Sequence, residues 1–147
     1  MEAKGQAMTP VRDTQDMIAG MTPVADAAIY RFCAVSDPEL ARRLGPKALA
    51  SFAEDEGMSL VLDERHIPGQ EVEVSPPMQR ITLMVYSSLE GIGLTAAVAG
   101  ALAQASIPCN MVAGYHHDHV FVPADDVDRA LSVLRDLSDR AGTGTGR

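Results

Sequence analysis

The sequence contains no tryptophan, and phenylalanine and tyrosine together make up only 4% of it. Aromatic platforms on which unpaired bases stack are therefore scarce. Basic residues are few: 12 Lys and Arg stand against 20 Asp and Glu, a net charge of −8. Such a surface repels a phosphate backbone and an anionic membrane face, so no nucleic acid and no membrane partner is expected. No apolar run approaches the roughly 20 residues that a membrane span needs. Residues 1–11 lack the apolar stretch of a signal peptide, and a cytoplasmic location is the expectation. The two cysteines, Cys33 and Cys109, lie in apolar, strand-like segments and read as reduced, buried thiols rather than a disulfide. There is no nucleophile elbow, phosphate-binding loop or dinucleotide fingerprint. Cys109 has no helix N-terminus to lower its pKa. No catalytic residue, no metal and no cofactor are expected.

Hydrophobic residues fill 46% of the 147 positions, enough for one ordinary domain or two very small ones. Residues 1–12 are polar and mixed, and residues 140–147 end in a Gly/Thr run; both read as disordered ends. Pro68-Gly69 and Ser75-Pro76-Pro77 punctuate the middle, and neither fits inside a central strand or a helix. The boundary falls near residues 75–79, leaving halves at 13–75 and 79–139. Halves this small are expected to pack on each other or on a second chain, and a homodimer is the expected assembly.

The second half is the more legible. Ile81, Leu83 and Val85 alternate with Thr82, Met84 and Tyr86, the period of a strand. After a glycine-containing turn, Leu94, Ala97, Val98, Ala101, Leu102 and Ala105 recur at helical spacing, with a polar face of Ala, Gly and Ser. Residues 109–115 and 119–122 read as a strand hairpin around His116, His117 and Asp118. A second helix carries Val127, Ala130, Leu131, Leu134 and Leu137, with Asp125 or Asp126 as its N-cap. The order is β-α-β-β-α. In the first half the expectation is a helix over 14–21, a strand over 28–35, a helix over 46–56 with Leu49, Phe52 and Ala53 inward, and a strand over 58–62. Gly57 reads as the C-cap of that second helix. A short extra strand is expected at 71–74. The ferredoxin-like pattern β-α-β-β-α-β needs one more strand than the second half holds. The first half, another chain, or nothing supplies it.

A glycine turn that opens a helix leaves backbone N–H groups free, and these together with the helix dipole favour a carboxylate. Gly91 and Gly93 allow close approach. Ser87 and Ser88 add hydroxyl donors, and Asn110 or Glu90 offers an acceptor for an ammonium group. Ser87, Ser88, Glu90, Gly91, Ile92, Gly93, Leu94 and Asn110 therefore form the candidate ligand site. An ordinary tight turn is the competing reading. His116, His117, Asp118 and His119 are metal-type ligands. On a strand, however, His117 and His119 share one face and His116 and Asp118 the other, so a polar turn or a ligand-contacting loop suits them better than a metal. Glu54-Asp55-Glu56 reads as a solvated run at a helix end.

Residues 80–122 resemble an ACT domain. The strand is followed by Ser87-Ser88-Leu89-Glu90-Gly91-Ile92-Gly93-Leu94, an Ala-rich helix and Ile107-Pro108-Cys109-Asn110-Met111-Val112. Small bacterial ACT domain-containing proteins carry similar sequences, including one like YHHDHVFVP at 115–123 and one like YRFCAV in the first half. The regulatory domains of aspartate kinases and the cytosolic arginine sensors of animals are more distantly similar. The resemblance implies an α/β (α+β) chain of two ferredoxin-like ACT βαββαβ halves packed together. It implies a non-catalytic regulatory sensor for a small amino acid or related carboxylate. The alternatives are a ligand-free assembly module and a metal protein using His116, His117 and His119.

Overall fold

The computed structural model describes residues 13–69, 72–85 and 92–143. In chain order the elements are α1 (Thr14–Ala19), β1 (Pro23–Ala25), β2 (Tyr30–Val35), α2 (Pro38–Leu44), β3 (Ala50–Glu54), β4 (Gly57–Asp63) and β5 (Glu73–Val74). They continue with β6 (Met78–Leu83), α3 (Leu94–Gln104), β7 (Asn110–Ala113), β8 (Asp118–Pro123) and α4 (Val127–Thr143). The residues group into two compact units: Asp26–Arg80, and Met1–Ala25 together with Ile81–Arg147. The sequence places a single boundary at 75–79. The structure instead places one unit as an insertion within the other, with crossings after Ala25 and after Arg80.

In the discontinuous unit, β6 lies between β1 and β8, and β7 is the outer neighbour of β8. This is the ferredoxin-like strand order, with the last strand replaced by one from near the start of the chain. β1 runs antiparallel to β6, setting Pro23 opposite Leu83 and Ala25 opposite Ile81. Of the three sources open for the missing strand, the first half supplies it. The expected alternation holds: Ile81, Leu83 and Val85 are buried, while Met84 is exposed. Leu94, Val98 and Leu102 bury one stripe of α3, and Ala130 and Leu134 one stripe of α4. Met17, Ile18 and Met21 from the first residues enter the same core. The Ser138 hydroxyl donates to the carbonyls of Ala19 (3.1 Å) and Met21 (3.0 Å), and Gln15 donates to Ala141 O (2.8 Å). These bonds tie α1 to α4. A three-residue turn, Ala124–Asp126, leads straight into α4 from Pro123, so neither Asp125 nor Asp126 stands outside the helical run as the expected cap. The helix also runs through Thr143, taking in the first four residues of the tail expected at 140–147.

In the Asp26–Arg80 unit, β2 pairs antiparallel with β4 from Tyr30↔Asp63 to Val35↔Met58. β3 forms the outer edge against β4, and β5 pairs with β2. The expected helix over 46–56 is replaced by a turn at Gly45–Lys47 and strand β3. Phe52 is 73% exposed rather than inward. Gly57 is no helix cap; it opens β4 after the β3–β4 turn at φ +138°, where a Cβ would stand 2.6 Å from Val35 O. The helix lies earlier, at α2. Asp37 accepts from Glu39 N at 3.1 Å, Pro38 occupies the first turn, and Leu40 and Leu44 cover Cys33, Val35, Leu60 and Leu62. An Asp-Pro start is a strong helix signal that the reading from Pro46 passed over. Where the ferredoxin-like pattern has its second helix, the described residues of this unit form the short turn Glu64–His66, with Ile67 and Val72 packed on the core.

Residues 79–147 expressed alone lack α1 and β1, and so lack Met17, Ile18 and Met21 from the core. They are expected to melt without a cooperative transition by circular dichroism, whereas the full chain melts cooperatively. A sharp transition for the short piece would show that β1 is dispensable.

Candidate functional site

Of the expected ligand site, Ser87, Ser88, Glu90 and Gly91 lie outside the described residues. Ile92, Gly93, Leu94 and Asn110 are described. Gly93 precedes α3 at φ +102°, a backbone conformation that favours glycine, and brings no side chain to cap the helix. Leu94 is buried and anchors the first turn, while Ile92, Thr95 and Ala96 are exposed. The first turn of α3 thus receives no side-chain cap from its N-cap residue, and Thr95 and Ala96 within it are exposed.

Thr14, the first residue of α1, is the neighbour that sequence reasoning missed. Its hydroxyl donates to Ile92 O, and its Cγ2 would stand 2.7 Å from a Cβ on Gly93. The absence of a side chain at Gly93 is thus required twice, by backbone conformation and by Thr14. Only the unexpected placement of α1 in this unit could have pointed to it, because Thr14 and Ile92 lie 78 residues apart.

The structure separates Asn110 from this mouth. Thr82 Oγ1 lies 3.0 Å from His119 Nδ1, and His117 Nδ1 lies 3.3 Å from Val85 O, so β6 and β8 run antiparallel. β7 is antiparallel to β8 and hence parallel to β6. The chain leaves β6 and enters α3 at the end of the sheet where the β7–β8 turn lies. That turn is closed by Gly114 N donating to His117 O at 2.8 Å. Asn110 opens β7 at the other end, roughly 13 Å along the strand at about 3.3 Å per residue. It is the histidine turn that shares the sheet end with the α3 mouth. His117 and His119 both reach toward β6, while His116 stacks edge-on against exposed Tyr115. Among the described residues no three His, Cys, Asp or Glu side chains gather as a metal requires. Burial raises the pKa of both thiols, Cys33 and Cys109, which makes them poorer nucleophiles.

Two polar features of the Asp26–Arg80 unit lie outside the expected site. A shallow hollow of about 290 Å³ is lined by Glu54, Glu56 and Glu73 with Ser36 and Ser59. Glu54 and Glu56 thus flank a turn between strands instead of ending a helix. The second feature is a clasp joining the first and last residues of the unit. Asp26 N donates to Arg80 O (2.9 Å), and Asp26 Oδ2 accepts from Tyr30 OH (2.6 Å) and from Arg80 (3.0 Å). Asp26 Oδ1 accepts from Ala28 N at 3.0 Å. The Tyr30 hydrogen bond, then that of Ala28, holds the Asp26 carboxyl below its ordinary value. Burial, then the bond to Asp26, pushes the Tyr30 phenol up to about 12.

Comparison with known proteins places this geometry. Residues 9–79 match one ACT domain family and residues 79–136 match another. The chain belongs to the ACT domain-containing proteins. A solved structure of a protein of unknown function from Vibrio cholerae, described as a possible transport protein, is 37% identical. The match covers 84% of this chain and 94% of that one, with a TM-score of 0.74. The regulatory subunit of aspartate kinase from Thermus flavus shares the fold at 12% identity and TM-score 0.58, over 79% of this chain and 96% of that one. An aspartate kinase from Clostridium acetobutylicum does so at 12% identity and TM-score 0.64, over 78% of this chain and 34% of that one. No curated protein matches the chain. The expected α+β, ferredoxin-like ACT fold is thus borne out. ACT domains are in general regulatory modules that bind small molecules. No helix among the described residues is long and apolar enough to cross a membrane.

The clasp sets a pH dependence. The Tyr30 value is raised in the fold, so its contribution is complete below the ordinary 10 and is lost as pH rises toward about 12. Asp26 is depressed, so its contribution is complete above the ordinary 3.8 and is lost as pH falls through the folded-state value. Tyr30→Phe is expected to lower stability at pH 7 by about 1–2 kcal/mol in urea titrations. It should also flatten the alkaline loss between pH 10 and 12; an unchanged alkaline limb would remove Tyr30 as its source.

Proposed function

We propose that this ACT protein is a non-catalytic sensor that binds a small amino acid, or a similar carboxylate-bearing metabolite, at the mouth of α3. The observation that carries this reading is the first turn of α3, which its N-cap residue Gly93 leaves without a side-chain cap, exposed at Thr95 and Ala96 and braced by Thr14. Backbone amides there meet a carboxylate with the positive end of the helix dipole. Ile92, Gly93 and Leu94 line the contact, and Ser87, Ser88, Glu90 and Gly91, which precede them in the sequence, are candidates for further contacts. The histidine turn, with His116, His117, Asp118 and His119, stands at the same end of the sheet and offers polar groups to the rest of the ligand. Asn110 opens the far end of β7, out of reach of a small ligand held at the mouth. Binding regulates by shifting the population toward whichever state holds the ligand more tightly. The protein acts in the cytoplasm as a homodimer.

A panel of the standard amino acids at millimolar concentration is expected to raise the melting temperature for at least one of them. A ligand at 100 times its Kd adds about 2.7 kcal/mol to the native state. Gly93→Val is expected to abolish that shift while a cooperative melt remains, and Asn110→Ala to leave it unchanged. A panel without any shift would remove the sensor reading and leave an assembly module. A full shift in Gly93→Val would move the ligand away from α3, and a reduced one in Asn110→Ala would move it toward the start of β7.

A further inference from the structure

We propose that the Asp26–Arg80 unit has a small-molecule site of its own, in which Arg31 and Arg65 grip the carboxylate of a compound with an apolar tail. The site does not depend on the α3 mouth, which belongs to the other unit. A hollow of about 380 Å³ is lined by Arg31, Glu64, Arg65, Ile67, Gly69 and Val74. Its place follows from the strand pairing. Val74 stands opposite Cys33, and Arg31 precedes Cys33 by two residues, so all three lie on the face of the sheet that α2 covers. The hollow therefore opens on the half of that face where the ferredoxin-like pattern has its second helix and this unit has the Glu64–His66 turn. Its volume is at the lower end of ordinary ligand pockets and suits a molecule of amino-acid size.

The lining carries two guanidinium groups and one carboxylate, a local excess of positive charge in a chain whose net charge is −8. Each guanidinium is held by part of its donor set. Arg65 Nη2 donates to Asp63 at 2.7 Å and Arg65 Nε at 3.1 Å, while Arg31 Nη1 donates to Ser75 O at 3.0 Å. Arg31 Nη2 and Arg65 Nη1 donate to no described residue. A guanidinium fixed along one edge, with a nitrogen to spare, is already ordered for pairing with a carboxylate. Glu64 accepts from Arg31 Nε only at 3.4 Å, a long hydrogen bond, and is 43% exposed. It is therefore free to yield Arg31 to an incoming anion, or to turn to an ammonium group that the anion carries. Val74, 44% exposed, and half-buried Ile67 give the tail an apolar wall. A free apolar amino acid and the keto acid of the same skeleton share this chemistry. Glu64 tells them apart, because it pairs with the ammonium of the first and competes with the carboxylate of the second.

Titration calorimetry of the full chain with leucine and with its keto acid tests the site. At least one of them is expected to bind, and to shift the backbone amide resonances of Ile67, Gly69 and Val74. Arg65→Ala is expected to raise the dissociation constant at least tenfold with an unchanged melt. Its side chain is 79% exposed, and the bond from its backbone N–H to Asp63 remains. Val74→Asp, which sets a carboxylate in the hollow, is expected to abolish binding, and it decides the matter if Arg65→Ala fails to fold. Glu64→Gln separates the two sources: it weakens the amino acid, whose ammonium loses a partner, and strengthens the keto acid, which loses a competitor. Gly93→Val is expected to leave this binding intact. Binding lost in Gly93→Val but kept in Arg65→Ala and Val74→Asp would overturn the hollow and leave the sensor reading standing. Binding kept in Gly93→Val and lost in Arg65→Ala would uphold the hollow whatever becomes of the α3 mouth. No binding of either compound would also overturn it.

Discussion

Hydrogen bonding between Pro23–Ala25 and residues 81–83 is the constraint from which the rest of the discontinuous unit follows. A βαββα segment leaves one side of its first strand open, and buried backbone groups on that side must find partners. β1 supplies them. Once β1 is placed beside β6, α1 has no freedom to lie elsewhere, because only Gly20, Met21 and Thr22 separate the two elements. The placement of α1 carries Met17 and Ile18 into the core and sets Thr14 against the backbone at Ile92 and Gly93. The geometry of the α3 mouth is thus determined in part by a strand pairing on the opposite side of β6 from β8.

The other unit is organised by its two ends. Asp26 and Arg80, first and last in the unit, are joined by backbone and side-chain hydrogen bonds, with Tyr30 as a third member. This closes a 55-residue insertion at its base, so the strands within it form with their ends already together. Among its described residues the unit has one α-helix, α2. The short turn Glu64–His66, Ile67 and Val72 take the place of a second, and they suffice because α2 already covers Cys33, Val35, Leu60 and Leu62.

The two halves were unequally legible in the sequence for physical reasons. Period-two alternation at Ile81, Leu83 and Val85 and the stripes of α3 and α4 reflect one-sided burial, which local pattern records directly. β3 lacks that record because it is an edge exposed on both faces, so Phe52 and Ala53 gave a helical spacing with no burial behind it. The start of α2 was written in Asp37-Pro38, but a seven-residue helix leaves too short a stripe to stand out. The mouth of α3 was legible through its glycines, since a positive φ at Gly93 is a local demand. Its neighbour Thr14 was not, because no local pattern records a contact made across 78 positions. The separation of Asn110 from the mouth likewise depends on strand direction, which alternation alone leaves open.

The bonds from Gln15 to Ala141 and from Ser138 to Ala19 and Met21 set an order of events on the ribosome. Residues made near the beginning cannot reach their final positions until α4 has emerged. The Asp26–Arg80 insertion has everything it needs far sooner. During translation the inner unit is therefore complete, and β1 has its partner in residues 81–83, while α1 still waits for α4 with Met17 and Ile18 uncovered. For that interval a holding chaperone, or a neighbouring nascent chain, competes with α4 for the same surface.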